Sequence, residues 1–217
     1  MLSYNNYFFK KLFLTAMGGS SMESTSTDAA GYRSVGFYSD QLGHPAFATS
    51  YDTNSHPSGS DTETRGVGFF VNANTIWDNK YFLDLIYRYE GSSRFGKNQR
   101  FAPFWSVGGG WNIHNEKFMK GTPIQLLKLR ASIGYLGNIN FNPYQSLTTY
   151  SYNSSYFYGK GTGATPITIG NPDLKWERTL STNIGVDFTA FHGRIDLSAD
   201  YYIKNTDNLL LDITKAP

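Results

Sequence analysis

Tyr81-Phe82-Leu83-Asp84-Leu85-Ile86-Tyr87-Arg88-Tyr89-Glu90 decides the fold. Its odd positions are leucine in the middle and tyrosine toward the ends, while Asp84, Arg88 and Glu90 stand among the even ones. Side chains of an extended chain point alternately to opposite faces, so this pattern describes a strand with one apolar and one polar surface. The scheme returns in 194–204, where Ile195, Leu197, Ala199, Tyr201 and Ile203 oppose Arg194, Asp196, Ser198, Asp200 and Lys204. It runs through 180–190 on Leu180, Thr182, Ile184, Val186, Phe188 and Ala190, and through 127–135 on Leu127, Leu129, Ala131, Ile133 and Tyr135. Trp105, Val107, Trp111 and Ile113 carry it across 105–113. Weaker candidates at 4–17, 31–38 and 66–77 bring the expectation to about eight strands, with no amphipathic helix of useful length.

The clearer runs are about 10 to 12 residues long, enough for a tilted strand to cross a bilayer core, whereas soluble sandwich strands are nearer 5 or 6. Composition agrees. The 217 residues are 17% charged and 17% aromatic, with 22 glycines and no cysteine. Ordinary soluble domains carry roughly 25% charge. A mean hydropathy of -0.40 without a long apolar run excludes a membrane-spanning helix. The missing cysteines exclude a disulfide framework, a thiolate zinc site and a cysteine nucleophile. A net charge of +2 gives no electrostatic reason to expect nucleic acid as a partner.

Connection lengths supply an independent test. Asp78-Asn79-Lys80 and Phe191-His192-Gly193 read as tight hairpin turns, while Gly91–Phe101 and above all Leu136–Thr179 are longer. Taken in order, short and long connections alternate, as in outer-membrane barrels with short turns inside and long loops outside; His114–Gln125 is the soft spot. Tyr81, Tyr89, Trp105, Trp111, Tyr135 and Tyr201 suit an aromatic girdle at headgroup depth, and Asp84, Arg88, Glu90, Asp196, Asp200 and Lys204 a wet interior. Met1–Tyr7 lacks the basic start and apolar stretch of a secretory signal, and Asp212–Pro217 does not end on a strand with a terminal aromatic. The expectation is a piece of a longer protein. On these residues alone two rivals stay open: a self-contained small outer-membrane barrel acting as pore or adhesin, and a soluble carbohydrate-binding β domain.

Five motifs then fall in order: Arg65-Gly66-Val67-Gly68-Phe69-Phe70; Tyr87-Arg88-Tyr89-Glu90-Gly91-Ser92-Ser93-Arg94-Phe95-Gly96; Phe101-Ala102-Pro103-Phe104-Trp105-Ser106-Val107-Gly108 with Gly110-Trp111; Leu127–Tyr135 with Gly137-Asn138; and Gly170-Asn171-Pro172-Asp173-Leu174-Lys175-Trp176-Glu177, followed by Asp200-Tyr201-Tyr202. Together they resemble the barrel of the SusC/RagA-type TonB-linked outer-membrane proteins, strongly over 60–217 and in style before it. The resemblance implies an all-β chain: an antiparallel transmembrane β-barrel segment, about eight strands of a larger, 22-stranded barrel in the outer membrane of a Gram-negative bacterium. It implies import of oligosaccharides or peptides, capture by a SusD-like surface lipoprotein, and energy from TonB through a plug and contacting segment that these 217 residues do not hold. It implies no enzyme activity.

Within the long connection of about 136–179, expected to be extracellular, Tyr150, Tyr152, Tyr156, Tyr158 and Trp176 are the candidate substrate-binding residues. Flat amphipathic rings stack on sugars and bind at small entropic cost. The plainer alternative is that these rings pack the loop on itself. The Asn171–Glu177 stretch and the Gly91–Gly96 stretch read as structural bends, with Trp176 near the outer interface. Lumen carboxylates with basic neighbours form solvated ion pairs, so no catalytic residue is expected. Gly159-Lys160-Gly161-Thr162-Gly163 lacks phosphate-loop order, and His44, His56, His114 and His192 lack ligand spacing, so neither cofactor nor metal is expected.

Overall fold

A computed structural model describes residues 1–41, 43–159 and 161–210, with the backbone alone for 153–158 and 162. Two compact units divide the chain, 1–23 with 66–217, and 24–65. The strands are β1 (Leu2–Phe8), β2 (Leu12–Gly31), β3 (Ser34–Phe37), β4 (Ala48–Tyr51), β5 (Ser58–Trp77) and β6 (Tyr81–Ser92). They continue with β7 (Phe101–Asn112), β8 (Ile124–Asn138), β9 (Thr149–Tyr158), β10 (Gly161–Thr168), β11 (Glu177–Ala190) and β12 (Ile195–Asp207). Eight of them form one antiparallel meander in the order β1-β2-β5-β6-β7-β8-β11-β12. The pairs β3–β4 and β9–β10 are separate two-stranded sheets inserted in two of the connections.

Register explains why the alternation is so regular. Leu85 pairs with Val107, Val107 with Ile133, Ile133 with Thr182 and Thr182 with Ile203. The next rows are Leu83, Gly109, Ala131, Ile184 and Tyr201, then Tyr81, Trp111, Leu129, Val186 and Ala199. Directly opposed residues share a face, so the apolar set of every strand lies on one surface, and a slip by one residue would turn a whole strand over. That surface is open rather than packed: Leu83, Leu85 and Leu129 are each 41–42% exposed. The other face carries the row Asn74, Asp84, Gly108, Ser132 and Asn183.

The expected total of eight strands holds for the sheet, but its early members differ. The 4–17 candidate is two strands, broken where Phe9 and Lys10 take φ of +50° and +57° and the Lys11 amide donates to the Phe8 carbonyl at 3.2 Å. This is a two-residue hairpin turn of the type whose twist matches its strands. Asp78 and Asn79, at +53° and +55°, make the same turn between β5 and β6. The 31–38 candidate contributes only β3, which pairs with β4 and not with the meander. The 66–77 candidate begins eight residues earlier, at Ser58. Loop 136–179 is shorter as a connection, because β8 runs to Asn138 and β11 starts at Glu177, and it contains the β9–β10 hairpin.

The 24–65 unit holds the far stretches of β2 and β5 with the β3–β4 hairpin. Arg33 and Asp52 bridge the base of that hairpin at 3.5 Å, and Tyr32 and Tyr51 meet edge to face at 5.3 Å. In the larger unit the buried cluster is small: Phe95, Ala102, Phe104 and Trp176, with Ile139 and Phe141 packed against it.

Candidate functional site

Alternation of strand direction gathers the connections at two ends of the larger unit. The turns at 9–11, 78–80, 113–123 and 191–194 lie at one end; 93–100 and 139–176 lie at the other.

At the short-turn end the soft spot of the sequence resolves into a docked segment. Residues Ile113–Asn115 and Lys117–Met119 form two single 3-10 turns. The Asn112 and Asn115 carboxamides both donate to the Asn79 carbonyl, at 3.1 and 2.7 Å, and thereby pin this segment to the neighbouring hairpin turn. Glu116 accepts from Lys80 Nζ at 2.8 Å, and from Tyr81 Oη and Trp111 Nε1 at 3.2 Å each. The Lys80 hydrogen bond is the largest influence holding the Glu116 carboxyl below its ordinary range, and the same bond raises the Lys80 ammonium. Tyr81 and Trp111 stack at 6.1 Å, so both rings keep an apolar flank while their polar atoms meet one carboxylate. That is the behaviour of an amphipathic aromatic at a wet–dry boundary. Tyr89 with Phe101 and Trp105 with Tyr135 form aromatic pairs farther along the same strands, whereas Tyr201 falls in the Leu83 row.

The polar face carries a cross-strand charge cluster. Arg130 on β8 reaches Asp187 on β11 at 3.1 Å and Asp200 on β12 at 2.8 Å, and Ser198 donates to Asp187 at 2.7 Å. The guanidinium lies over Gly185, where a Cβ would sit 2.7 Å from Cζ. A side chain there would displace the arginine, so glycine makes the three-strand bridge geometrically available. Arg88 and Glu90 pair at 2.7 Å, and Asn74 donates to Asp84 at 2.7 Å. These are wall-bracing contacts, but the partners differ from the along-strand neighbours expected: Arg88 pairs with Glu90 and Asp200 with Arg130 of β8, and neither Arg130 nor Asp187 was singled out in the sequence.

At the long-loop end, two stretches read separately in the sequence interlock. Phe95 stacks on Trp176 at 4.1 Å and meets Phe141 edge to face at 5.2 Å. Trp176 also meets Phe104 at 5.2 Å, and its Nε1 donates to the Arg100 carbonyl at 3.1 Å. The Gly96 amide donates to the Leu174 carbonyl at 3.2 Å, and Asn98 donates to Asp173 at 3.3 Å. A Cβ on Gly96 would collide with the Pro172 carbonyl. Phe95 and Trp176 are 1% and 6% exposed, so Trp176, a candidate ligand contact in the sequence, packs the base of the loops instead of presenting a free ring.

The remaining candidates belong to the β9–β10 hairpin. Tyr150 pairs with Pro166 and Tyr152 with Ala164, which puts both on one face of it, 59% and 78% exposed. Tyr158 pairs with Gly161, and Tyr156 falls where the register shifts between Thr162 and Gly163. The side chains of Tyr156 and Tyr158 lie outside the described residues. No cluster of His, Asp and Glu with metal-binding geometry occurs among the described residues.

A long meander with one open apolar face and one polar, charge-braced face defines a segment of an antiparallel transmembrane β-barrel. Residues 2–217 match the family described as TonB dependent receptor-like, beta-barrel, and the chain belongs to that family. A TonB-dependent receptor of Formosa agariphila is 32% identical over 97% of this chain and 20% of its own length. TonB-dependent receptor SusC of Bacteroides thetaiotaomicron is 35% identical over 66% of this chain and 15% of its own length. Among solved structures, a chain of the RagAB peptide transporter superposes with a TM-score of 0.84 at 31% identity, over 99% of this chain and 24% of that one. The chain therefore spans about a fifth of the length of the curated relatives it matches.

Proposed function

We propose that this chain is part of the barrel wall of a TonB-dependent outer-membrane transporter that imports oligosaccharides or peptides. The observation that carries the reading is the register: the apolar sets of β6, β7, β8, β11 and β12 merge into one continuous exposed surface, backed by a polar face. An open apolar surface of this kind is stable against lipid, and its opposite against a wet lumen. The short turns then face the periplasm, and the 93–100 and 139–176 connections face outward as extracellular loops.

The transport cycle resides in the whole protein. In this reading a SusD-like lipoprotein delivers the solute at the long loops, and TonB acts on a plug through segments outside these 217 residues. This chain supplies a lipid-facing wall, a hydrophilic lumen surface and exposed loop aromatics. Tyr150 and Tyr152 are the rings available for stacking on a sugar or on a peptide's side chains. A peptide cargo is supported by the likeness to the RagAB peptide transporter, and the exposed rings suit stacking on a glycan as well. No chemical transformation is assigned to it.

The test is made on the native polypeptide, in an outer-membrane fraction, with an antibody to the Leu136–Thr179 connection. A mass on the order of 100 kDa, several times this chain's 24.4 kDa, is expected for a complete transporter. Uptake of labelled oligosaccharide or peptide by cells should then cease when TonB is removed. A native band near 24 kDa, or uptake indifferent to TonB, overturns the proposal.

A further inference from the structure

The open apolar surface is not uniformly flat. Next to the β1–β2 turn it hollows into a groove of about 530 Å³, lined by Lys11, Leu12, Thr75, Trp77, Tyr81 and Leu83. Trp77 opposes Tyr81 and Thr75 opposes Leu83 in the β5–β6 register, so these four stand on the apolar face. The two rings, 6.0 Å apart, flank the end nearest the turns, while Thr75 and Leu83 lie two residues farther from them. The volume falls within the range of small-molecule sites.

Charge at the mouth identifies the occupant. Lys10 and Lys11 are exposed in the turn, and neither makes an ion pair among the described residues. The nearby Asp78 carboxylate leans toward Lys80 at 3.7 Å, and Lys80 is itself held by Glu116. Two free ammonium groups beside a pair of boundary aromatics, with an aliphatic trough leading away from them, match a molecule with an anionic head and a long apolar tail.

We propose that this groove is a seat for one glycerophospholipid of the leaflet that faces the short turns. Its phosphate sits at Lys11 and Lys10, and one acyl chain lies along Leu12, Thr75 and Leu83, against the flank of the Trp77–Tyr81 pair. The proposal rests on the reading that this face meets lipid. Its consequence is a preference for anionic headgroups at one point of the barrel perimeter, anchoring the β1–β2 hairpin to the bilayer.

Native mass spectrometry of the whole protein carrying this chain, in mild detergent titrated with phosphatidylglycerol, reads the site directly. The wild type should retain one phosphatidylglycerol. A Lys10→Asn, Lys11→Gln double variant should bind it about 25-fold more weakly, about fivefold for each lysine near an anionic lipid. Asparagine suits position 10 because Lys10 has a φ of +57°. Leu83→Trp should abolish retention by filling the trough, while Leu85→Trp, on the same face but outside the groove, should not. The lysine pair lies in an exposed turn, so it keeps the test alive should Leu83→Trp fail to fold.

A nitroxide at Leu85 separates the two levels of the argument. If the label is accessible to oxygen in the bilayer, yet retention is the same in all variants, the groove proposal is wrong and the lipid-facing wall stands. If the label is shielded from oxygen, the face is covered by protein and both readings fall.

Discussion

Gly96→Ala tests whether the loop cluster is an interlock or a chance apposition. The added methyl has nowhere to go: the ideal Cβ position overlaps the Pro172 carbonyl and lies 2.9 Å from the Asp173 amide nitrogen. Backbone on the opposing side cannot swing away as a flexible side chain would. Either the 92–100 connection lifts from 171–174 or both shift, and forcing extra volume into a packed site costs typically 1–3 kcal/mol. Lifting also weakens the Gly96–Leu174 hydrogen bond and the Phe95–Trp176 stack. Truncating Phe95 to alanine removes the most buried large side chain outright, with an expected cost of about 3–5 kcal/mol. Hydrogen exchange on the whole protein in detergent reads both as local opening. Amides of 92–100 and 171–176 should exchange roughly 5- to 150-fold faster in Gly96→Ala, and faster still in Phe95→Ala. Amides of 78–80 and 112–116, at the other end, should be unchanged. Unaltered exchange at 92–100 in Gly96→Ala would show that the two stretches do not bear on each other.

Three further outcomes follow from the same contacts. Leu85→Arg should impair assembly into membranes by about 2–4 kcal/mol at mid-bilayer, while Asp84→Asn should assemble normally; equal heat-modifiability of the two variants on gels would overturn the face assignment. The Glu116 carboxyl is held below its ordinary range, so the stability it confers is present above the unfolded value of roughly 4.3 and is lost as pH falls through the lowered one. Protection of the 112–119 amides, corrected for the intrinsic pH dependence of exchange, should therefore fall as pH drops through and below the ordinary carboxylate range, and Glu116→Gln should flatten that dependence. Lys80 works in the opposite sense: raised by the same bond, it holds the tie until pH climbs past the ordinary lysine range. Tyr150→Ala with Tyr152→Ala should leave assembly intact and slow uptake of solute, measured with labelled oligosaccharide and peptide; uptake equal to wild type would remove these rings from the solute path.

Alternation was legible wherever one face is continuously apolar. Between Tyr81 and Asp207 the period-2 reading matched β6, β7, β8, β11 and β12, because each residue's face is fixed by its own polarity and then checked by the neighbour across the ladder; the β9–β10 hairpin, read as loop, was missed. It failed before Gly66, where Ser24–Ala30 and Ser58–Arg65 are polar on both faces and leave no period to count. The break at Phe9-Lys10 was hidden for a different reason. Neither residue favours a positive φ, so the turn carries no Asn-Gly or Asp-Gly signal, and the strands on either side dictate it. Trp176 shows the limit for sites: an aromatic in a loop reads alike whether it stacks on a ligand or on Phe95, and only the burial decides. The pairing of Gly96 with Pro172 lies 76 residues apart in the chain, beyond any local pattern.

The energetics of this wall are divided in a way that ties fold to function. Among the described residues the buried large apolar side chains gather around Phe95 and Trp176, at the end where the long connections leave the sheet, with only the small Ala190 buried at the other end. Along the strands the apolar side chains cover one another only in part, since Leu83, Leu85 and Leu129 keep 41–42% of their surface exposed. The remainder of their stabilisation is realised against another apolar phase. The edges make the same demand. β1 and β12 each pair on one side alone in the meander, and β12 is exposed along its whole length. In hydrocarbon an unpaired backbone group costs several kcal/mol, so the lipid-facing reading requires further strands beside β1 and β12. On that reading the sheet is stable only as a sector of a closed barrel, with the buried aromatic cluster where the 93–100 and 139–176 connections leave it and Tyr150 and Tyr152 exposed on the β9–β10 hairpin.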